Sequence, residues 1–148
     1  MIHELDILTA VREKLKTKYN FPVYLTPVDA NFKTPCFVLD ILDSVTLHSN
    51  ALLYHDATLY LDMIANDNEL SAAELFAAKS DIYELFYDGF TVKDRHMQTG
   101  VITVSTAGND YNGIRADIPF VFYDDIPKQE ESYLMENLYY TEGVKTNG

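Results

Sequence analysis

The stretch LYHDATLYLDMI, residues 53–64, alternates between two kinds of side chain over its whole length. Successive side chains of a β-strand point to opposite faces of a sheet, so this period of two predicts a long strand with one buried face. The predicted buried set is Leu53, His55, Ala57, Leu59, Leu61 and Met63, and the opposite set is Tyr54, Asp56, Thr58, Tyr60 and Asp62.

Further strands are predicted on both sides of this one. Residues 36–42 are mostly apolar on both faces, which is typical of a central strand, and residues 44–50 are expected to form the loop that follows it. Residues 113–123 alternate again. Pro119 predicts that this last strand lies at a sheet edge or contains a bulge, because proline cannot donate a ladder hydrogen bond. Shorter strands are predicted at residues 23–25, 90–93 and 101–106.

Two helices are predicted from apolar repeats and end signals. Residues 2–19 repeat apolar side chains at three- and four-residue steps, as on one face of an amphipathic helix. A second helix is expected to begin at Ser71, because Ser71 and Glu74 have the spacing of a capping box. It is expected to end near Gly89, since glycine readily adopts the left-handed conformation that follows a helix. The predicted apolar face of this second helix is Leu75, Ala78, Ile82 and Leu85 or Phe86.

The order of these elements predicts the fold class. Long alternating strands with helices set apart indicate an α+β domain over residues 1–124, with a largely antiparallel or mixed β-sheet and two helices packed on one face. Residues 125–148 are predicted to be a C-terminal extension, in which residues 130–140 form a short amphipathic helix. This helical arm is expected to dock either on its own domain or on a neighbouring subunit, and the pattern leaves both open.

Composition limits the class of protein. A chain of 148 residues fits one domain, and 23 acidic against 11 basic residues give a net charge of -12. This charge argues against a protein that binds nucleic acid through its phosphates. The single cysteine, Cys36, cannot form an internal disulfide, and neither a secretory signal nor a membrane-spanning run is recognisable. We therefore expect a protein that is made and used in a cytosol, or in something assembled there, and that has no membrane partner.

No catalytic, cofactor-binding or metal site is predicted. The six glycines are scattered and form no phosphate-binding loop. His48 lies in a predicted loop within reach of His55, but no third ligand is evident, and a zinc site usually needs three or four. Cys36 begins an apolar strand and is expected to be a small buried hydrophobe. The sequence therefore predicts that the protein is not an enzyme.

The surface instead points to contacts with other proteins. The chain has 11 tyrosines and no tryptophan, and aromatic side chains are enriched at protein interfaces. Candidate interface residues occur on the long strand and in the predicted C-terminal arm. They are Tyr54, Tyr60, Tyr133, Leu134, Leu138, Tyr139 and Tyr140.

Four pieces of the sequence carry a family resemblance over residues 2–124. They are the first helix leading into FPVY at 21–24, KTPCFV at 33–38, the aromatic strand 54–63 with the acidic helix after it, and the closing strand 114–123. In these pieces the chain resembles the tail terminator proteins of long-tailed bacteriophages, in the form common in phages and prophages of Gram-positive bacteria. It departs from them at NALL, residues 50–53, where related sequences often have arginines, and in its extension beyond residue 124.

The resemblance implies a structural protein of the virion that is assembled in the host cytoplasm. Its implied form is a homo-hexameric ring that caps the tail tube and stops tube growth. Its implied partners are the tail tube protein, a head-completion or connector protein and, in a contractile tail, a sheath protein. Genomic DNA would pass through the lumen of the ring without specific binding, which suits an acidic chain.

Three other functions stay open from the sequence. The chain could be a head-completion or connector protein of the neck, which attaches on the portal side. It could also be a small non-viral adaptor domain, or an enzyme without a recognisable motif. A deep pocket with convergent carboxylates or histidines would favour the enzyme.

Overall fold

The computed structural model describes residues 1–26, 31–107 and 112–126. Within these residues nine elements follow one another. They are α1 (Glu4–Lys16), β1 (Val23–Leu25), β2 (Cys36–Leu47), β3 (Leu52–Ile64), α2 (Ala72–Phe86), β4 (Phe90–Val92), β5 (Arg95–Thr99), β6 (Thr103–Ala107) and β7 (Gly113–Asp125). The predicted α+β class is confirmed. The predicted C-terminal arm lies outside the described residues.

The strands form one mixed sheet with the order β1-β2-β3-β7-β5-β4, and β6 also pairs with β7. Among the described strands, β1 and β2 run parallel and the other pairs are antiparallel. The stretch that predicted the fold, now β3, is at the centre, between β2 and β7. Its Leu59 pairs with Ile41 of β2 on one side and with Ile118 of β7 on the other. These three residues therefore lie in one row across the sheet.

Both helices pack on one face of the sheet, as predicted. The odd-numbered side chains of β3 from His55 to Met63 and the even-numbered side chains of β7 face the helices and are almost fully buried. Leu53, which was predicted to be buried with them, is only partly buried. The apolar faces of the alternating strands pack against the apolar faces of the two helices. Together these faces form the hydrophobic core of the domain. The helical contributors are Ile7, Val11 and Leu15 from α1, and Leu75, Ala78, Ile82, Leu85 and Phe86 from α2.

The ends of α2 follow the predicted signals. The Ser71 hydroxyl accepts from the Glu74 backbone N–H, and the Glu74 carboxylate accepts from the Ser71 backbone N–H. These two bonds satisfy amides that a helix start otherwise leaves free. Gly89 follows the helix with a φ of 78°, and its N–H donates to the Phe86 carbonyl.

Pro119 was expected at a sheet edge or a bulge, and the edge prediction is wrong. β7 lies between β3 on one side and β5 with β6 on the other. The Pro119 carbonyl accepts from Gly100 on the β5 side, so its nitrogen faces that side too. There the pairing changes from Thr99 of β5 to Thr103 of β6. The backbone N–H that Pro119 lacks would therefore point between the β5 and β6 pairings of β7, so its absence breaks no ladder hydrogen bond.

Two further predictions about strands need correction. Residues 44–50 were expected to be a loop, yet β2 continues to Leu47 and stays paired with β3 over its whole length. β5 was not predicted, because its sequence RHMQT is mostly polar. It is held as a strand by the buried Met97 and Thr99.

None of the helices in the described part of the chain is long and apolar enough to cross a membrane.

Candidate assembly surfaces

The face of the sheet that points away from the helices carries Tyr54, as the alternation predicted. Its ring lies 5.2 Å from that of Tyr123, which is 45% exposed. The ring of His48 lies 4.9 Å from Tyr123 on the same side. These three side chains form an aromatic cluster at the tip of the β2–β3 hairpin. Aromatic groups with a polar handle are typical of protein interfaces.

Tyr60 lies on the same face but in different surroundings. It is opposite Asp40 on β2 and Asp117 on β7. Six residues along β3 separate it from Tyr54, or about 20 Å at the rise of a strand. The structure therefore places the two predicted interface tyrosines on one face without bringing them together.

Arg115 neutralises one of the carboxylates of this face. Its guanidinium donates from Nε and Nη2 to the two oxygens of Asp62, at 2.8 and 3.2 Å. This bidentate bond to Asp62 raises the pKa of Arg115. Tyr60 thus lies between two carboxylates, and the ion pair lies next to it.

The C-terminal half of β2 has an open edge. β1 pairs with β2 only from Phe37 to Leu39. Among residues 1–26, 31–107 and 112–126, no strand continues this pairing. The Phe37 N–H and the Leu39 carbonyl point toward β1. Because alternate residues point to the same side, the N–H groups of Asp43, Val45 and Leu47 face outward at this edge.

Apolar side chains accompany the open edge. Leu42 is 61%, Val45 49% and Leu47 64% exposed. Exposed edges in natural proteins are usually short, bulged, or protected by lysine or proline. Over residues 40–47 β2 has no lysine, proline or bulge, and its register with β3 is continuous. Its one inward-facing charge, Asp43, is paired with His55. Such an edge is a ready template for another strand.

A buried polar pair supports the hairpin beneath this edge. His55 Nδ1 lies 2.9 Å from Asp43 Oδ2, and the His55 ring stacks on Phe122 at a centroid distance of 4.2 Å. His55 faces the helices, whereas His48 contacts Tyr123 on the opposite face. The two histidines that the sequence placed within reach of each other are therefore separated by the sheet.

A third surface was missed by the sequence analysis. Phe76, Tyr83 and Tyr87 are 63%, 41% and 69% exposed. Together with Ser80 they recur at steps of four, three and four residues, which places them on one stripe of α2. We call these four residues the aromatic stripe. The signal was present in the sequence, because the stripe lies opposite the predicted core residues such as Ile82.

The described residues contain surface grooves and one buried thiol. No group of three or more His, Cys, Asp or Glu side chains among them could hold a metal ion. Three surface grooves have volumes of about 180, 280 and 190 Å³. Ligand pockets usually measure about 300–1,000 Å³. Burial raises the pKa of the Cys36 thiol, and only the thiolate is an effective nucleophile.

The remaining predicted interface residues lie outside the described residues. They are Tyr133, Leu134, Leu138, Tyr139 and Tyr140.

Comparison with known proteins identifies the family. A family model described as phage tail terminator protein matches residues 6–132, most of the chain, from α1 past the end of β7. No curated protein matches the chain. The chain therefore belongs to the phage tail terminator protein family.

Proposed function

We propose that the protein assembles into a homo-hexameric ring that caps the tail tube, stops its polymerisation and presents the interface to the neck. Family membership supports the coarser part, a structural role in the tail of the virion. The observation that carries the assembly is the open edge of β2, with outward N–H groups beside exposed Leu42, Val45 and Leu47.

A closed ring needs two different patches that meet between neighbours. The open edge supplies one, because its free N–H and C=O groups fit an extended segment of the adjacent subunit. The aromatic cluster of Tyr54, Tyr123 and His48 lies at the tip of the same hairpin. Backbone hydrogen bonds and aromatic contacts would then belong to one interface between neighbouring subunits, which we call the seam. The aromatic cluster would supply the main side-chain contacts of this seam.

The acidic side chains of the exposed sheet face suit a channel for DNA. The face carries Asp40, Asp56, Asp62 and Asp117, and Arg115 pairs with Asp62. An acidic lining offers no cations to phosphates, so DNA would pass without specific binding. If reversal of Asp40 and Asp56 to lysine left DNA ejection unchanged, this assignment of the lining would be wrong.

The proposed partners are other structural proteins. They are the tail tube protein, a head-completion or connector protein and, in a contractile tail, a sheath protein. Assembly would take place in the host cytoplasm. The role that we propose is structural and not catalytic, because the phage tail terminator family is a family of structural proteins.

The sharpest test changes one backbone group. Val45→Pro removes an N–H that faces the open edge and leaves the bonds to β3 in place. Val45→Thr is the matched control, because it keeps the N–H and the β-branched shape. Both variants should fold, as judged by circular dichroism. Only Val45→Pro should lose ring formation and the capping of purified tail tubes.

Two outcomes would count against the proposal. Normal capping by Val45→Pro would exclude the β2 edge from the seam. Binding of the wild-type protein to portal-bearing capsids, but not to tail tubes, would favour a head-completion protein instead.

A further inference from the structure

The aromatic stripe faces away from the sheet. The residues of α2 that enter the core, such as Ile82, lie on the opposite side of the helix. Surface helices normally turn charged or polar residues to the solvent. Here three large aromatic side chains occupy that side, with the small Ser80 between them. An exposed apolar row of this kind marks a contact surface for another protein chain.

A second exposed row lies on α1. Its four residues are all exposed, and we call them the basic stripe. They are Leu5, Thr9, Arg12 and Lys16. They recur at steps of four, three and four residues, which is also the spacing of the aromatic stripe. Each stripe thus covers about three turns of one side of its helix and has one small residue, Thr9 or Ser80, in its middle part. Two such surfaces can interdigitate.

The two stripes are complementary in chemistry. Arginine and lysine are attracted to the faces of tyrosine and phenylalanine rings, and α2 already has one such contact, with Lys79 Nζ 4.9 Å from the centroid of the Phe76 ring. α2 also carries three acidic residues against one lysine. Arg12 is available for a new contact, because its ion pair with Glu13 is long, at 3.9 Å, and solvent-exposed.

The stripes can meet only between two copies of the chain. Within one copy both stripes point to the solvent, and other residues join the two helices. Lys18, which follows α1, bonds Glu84 of α2 at 2.7 Å and Asp81 at 3.4 Å. A contact between two different surfaces of identical chains is heterologous, and its repetition about an axis closes a ring.

The positions of the helices suit such a contact. α1 contacts β2, whereas α2 contacts β7 and β6 on the other side of β3. α1 also reaches β4, where Asp6 pairs with Lys93 at 3.3 Å, but Asp6 lies outside the basic stripe. The basic stripe therefore belongs to the helix beside the β2 edge, and the aromatic stripe to the helix on the far side of the sheet. Both stripes would come to one junction where the β2 side of one subunit meets the β6 side of the next.

We propose that the basic stripe of one subunit packs on the aromatic stripe of the next subunit. This contact would cover Phe76, Tyr83 and Tyr87 and join the helical layers of neighbours behind the sheet. The inference rests on the proposed ring, and it names a second pair of surfaces that hold the ring together, apart from the open edge of β2.

Tryptophan fluorescence tests the contact in the full chain, which has no tryptophan of its own. Phe76→Trp places a probe in the aromatic stripe. Ring assembly, in solution or on purified tail tubes, should shift the emission of this probe to shorter wavelength and protect it from acrylamide. The dilute, dissociated chain should show neither effect.

Arg12→Glu then removes a cation from the basic stripe. It should leave the probe at 76 open to quenching and raise the concentration needed for half-maximal capping by about tenfold. Lys14→Glu is the matched control, because it makes the same change of charge on α1 at a partly buried position outside the stripe. It should leave protection and capping close to those of the unchanged chain.

A charge exchange separates the contact from a fault in folding. Tyr83→Lys alone should weaken capping, since it places a cation opposite the basic stripe. Combined with Arg12→Glu in the same chain, it should restore capping and the protection of the probe at 76. A chain that had merely lost stability through Arg12→Glu would gain nothing from Tyr83→Lys.

The outcomes distinguish this inference from the proposed function. A ring that caps tail tubes while the probe at 76 stays freely quenched would overturn the inference and leave the function in place. Equal effects of Arg12→Glu and Lys14→Glu, or no restoration by the charge exchange, would also overturn it. If the unchanged chain formed no ring with or without tail tubes, the proposed function would fail and this contact with it.

Discussion

His55 Nδ1 on β3 lies 2.9 Å from Oδ2 of Asp43 on β2, across the β2–β3 hairpin. The side chains are 4% and 12% exposed, so this contact forms almost without water. A hydrogen bond in such surroundings is electrostatically strong, and loss of either partner leaves a buried polar group unpaired. The pair therefore fixes the part of β2 that carries the open edge.

Asp43→Ala tests the contribution of this pair to stability. The change removes the partner of a buried imidazole nitrogen, so we expect the free energy of unfolding to fall by about 1–3 kcal/mol. Asp56→Ala is the control, because Asp56 is exposed on the opposite face, and it should change stability by less than about 0.5 kcal/mol. Urea unfolding measures both. Equal losses would show that the pair adds nothing specific.

Gly89→Ala tests the turn after α2. Gly89 has a φ of 78°, and a Cβ there would lie 2.4 Å from the Met97 carbonyl oxygen. We expect a loss of about 1–2 kcal/mol or more from the left-handed backbone alone. Gly100→Ala is the matched control, since its nearest neighbour would be Pro119 Cγ at 3.4 Å. If thermal unfolding gave the same midpoint for both variants, the strain at Gly89 would be refuted.

Tyr19→Phe should change the response of stability to high pH. Burial, and then the hydrogen bond that the Tyr19 hydroxyl donates to Asp81, raise the pKa of Tyr19 above its ordinary value near 10. The folded state therefore holds this proton more tightly than the unfolded state. The resulting stability is fully present below pH 10 and is lost as the pH rises through the folded pKa.

The measurement is urea unfolding of wild type and Tyr19→Phe from pH 7 to pH 11. At pH 7 the variant should be less stable by about 1 kcal/mol, the worth of one hydrogen bond. The difference should shrink above pH 10, because phenylalanine has no proton to lose. A difference that stayed constant over the whole range would contradict the raised pKa.

Features with local causes were predictable from the sequence. The alternation of residues 53–64 identified β3, and the spacing of Ser71 and Glu74 identified the start of α2. In each case the residues that carry the signal also make the interactions. The family resemblance, drawn from short motifs and the order of elements, is confirmed by the family model.

Features that depend on distant neighbours were not predictable in the same way. The sequence shows that Pro119 lacks a backbone N–H for a sheet hydrogen bond. It does not show that β7 pairs first with β6 and then with β5, which leaves Pro119 between the two pairings. The extension of β2 to Leu47 depends on β3 as its partner. The roles of Tyr54 and Tyr60 in assembly remain predictions.

The mass of the purified protein in solution tests the central claim most directly. Native mass spectrometry or light scattering should be run with and without polymerised tail tubes. The account predicts a hexamer of the 16.9 kDa chain, or a monomer that forms a ring only on tube ends. A monomer that ignores tail tubes at every concentration would contradict it.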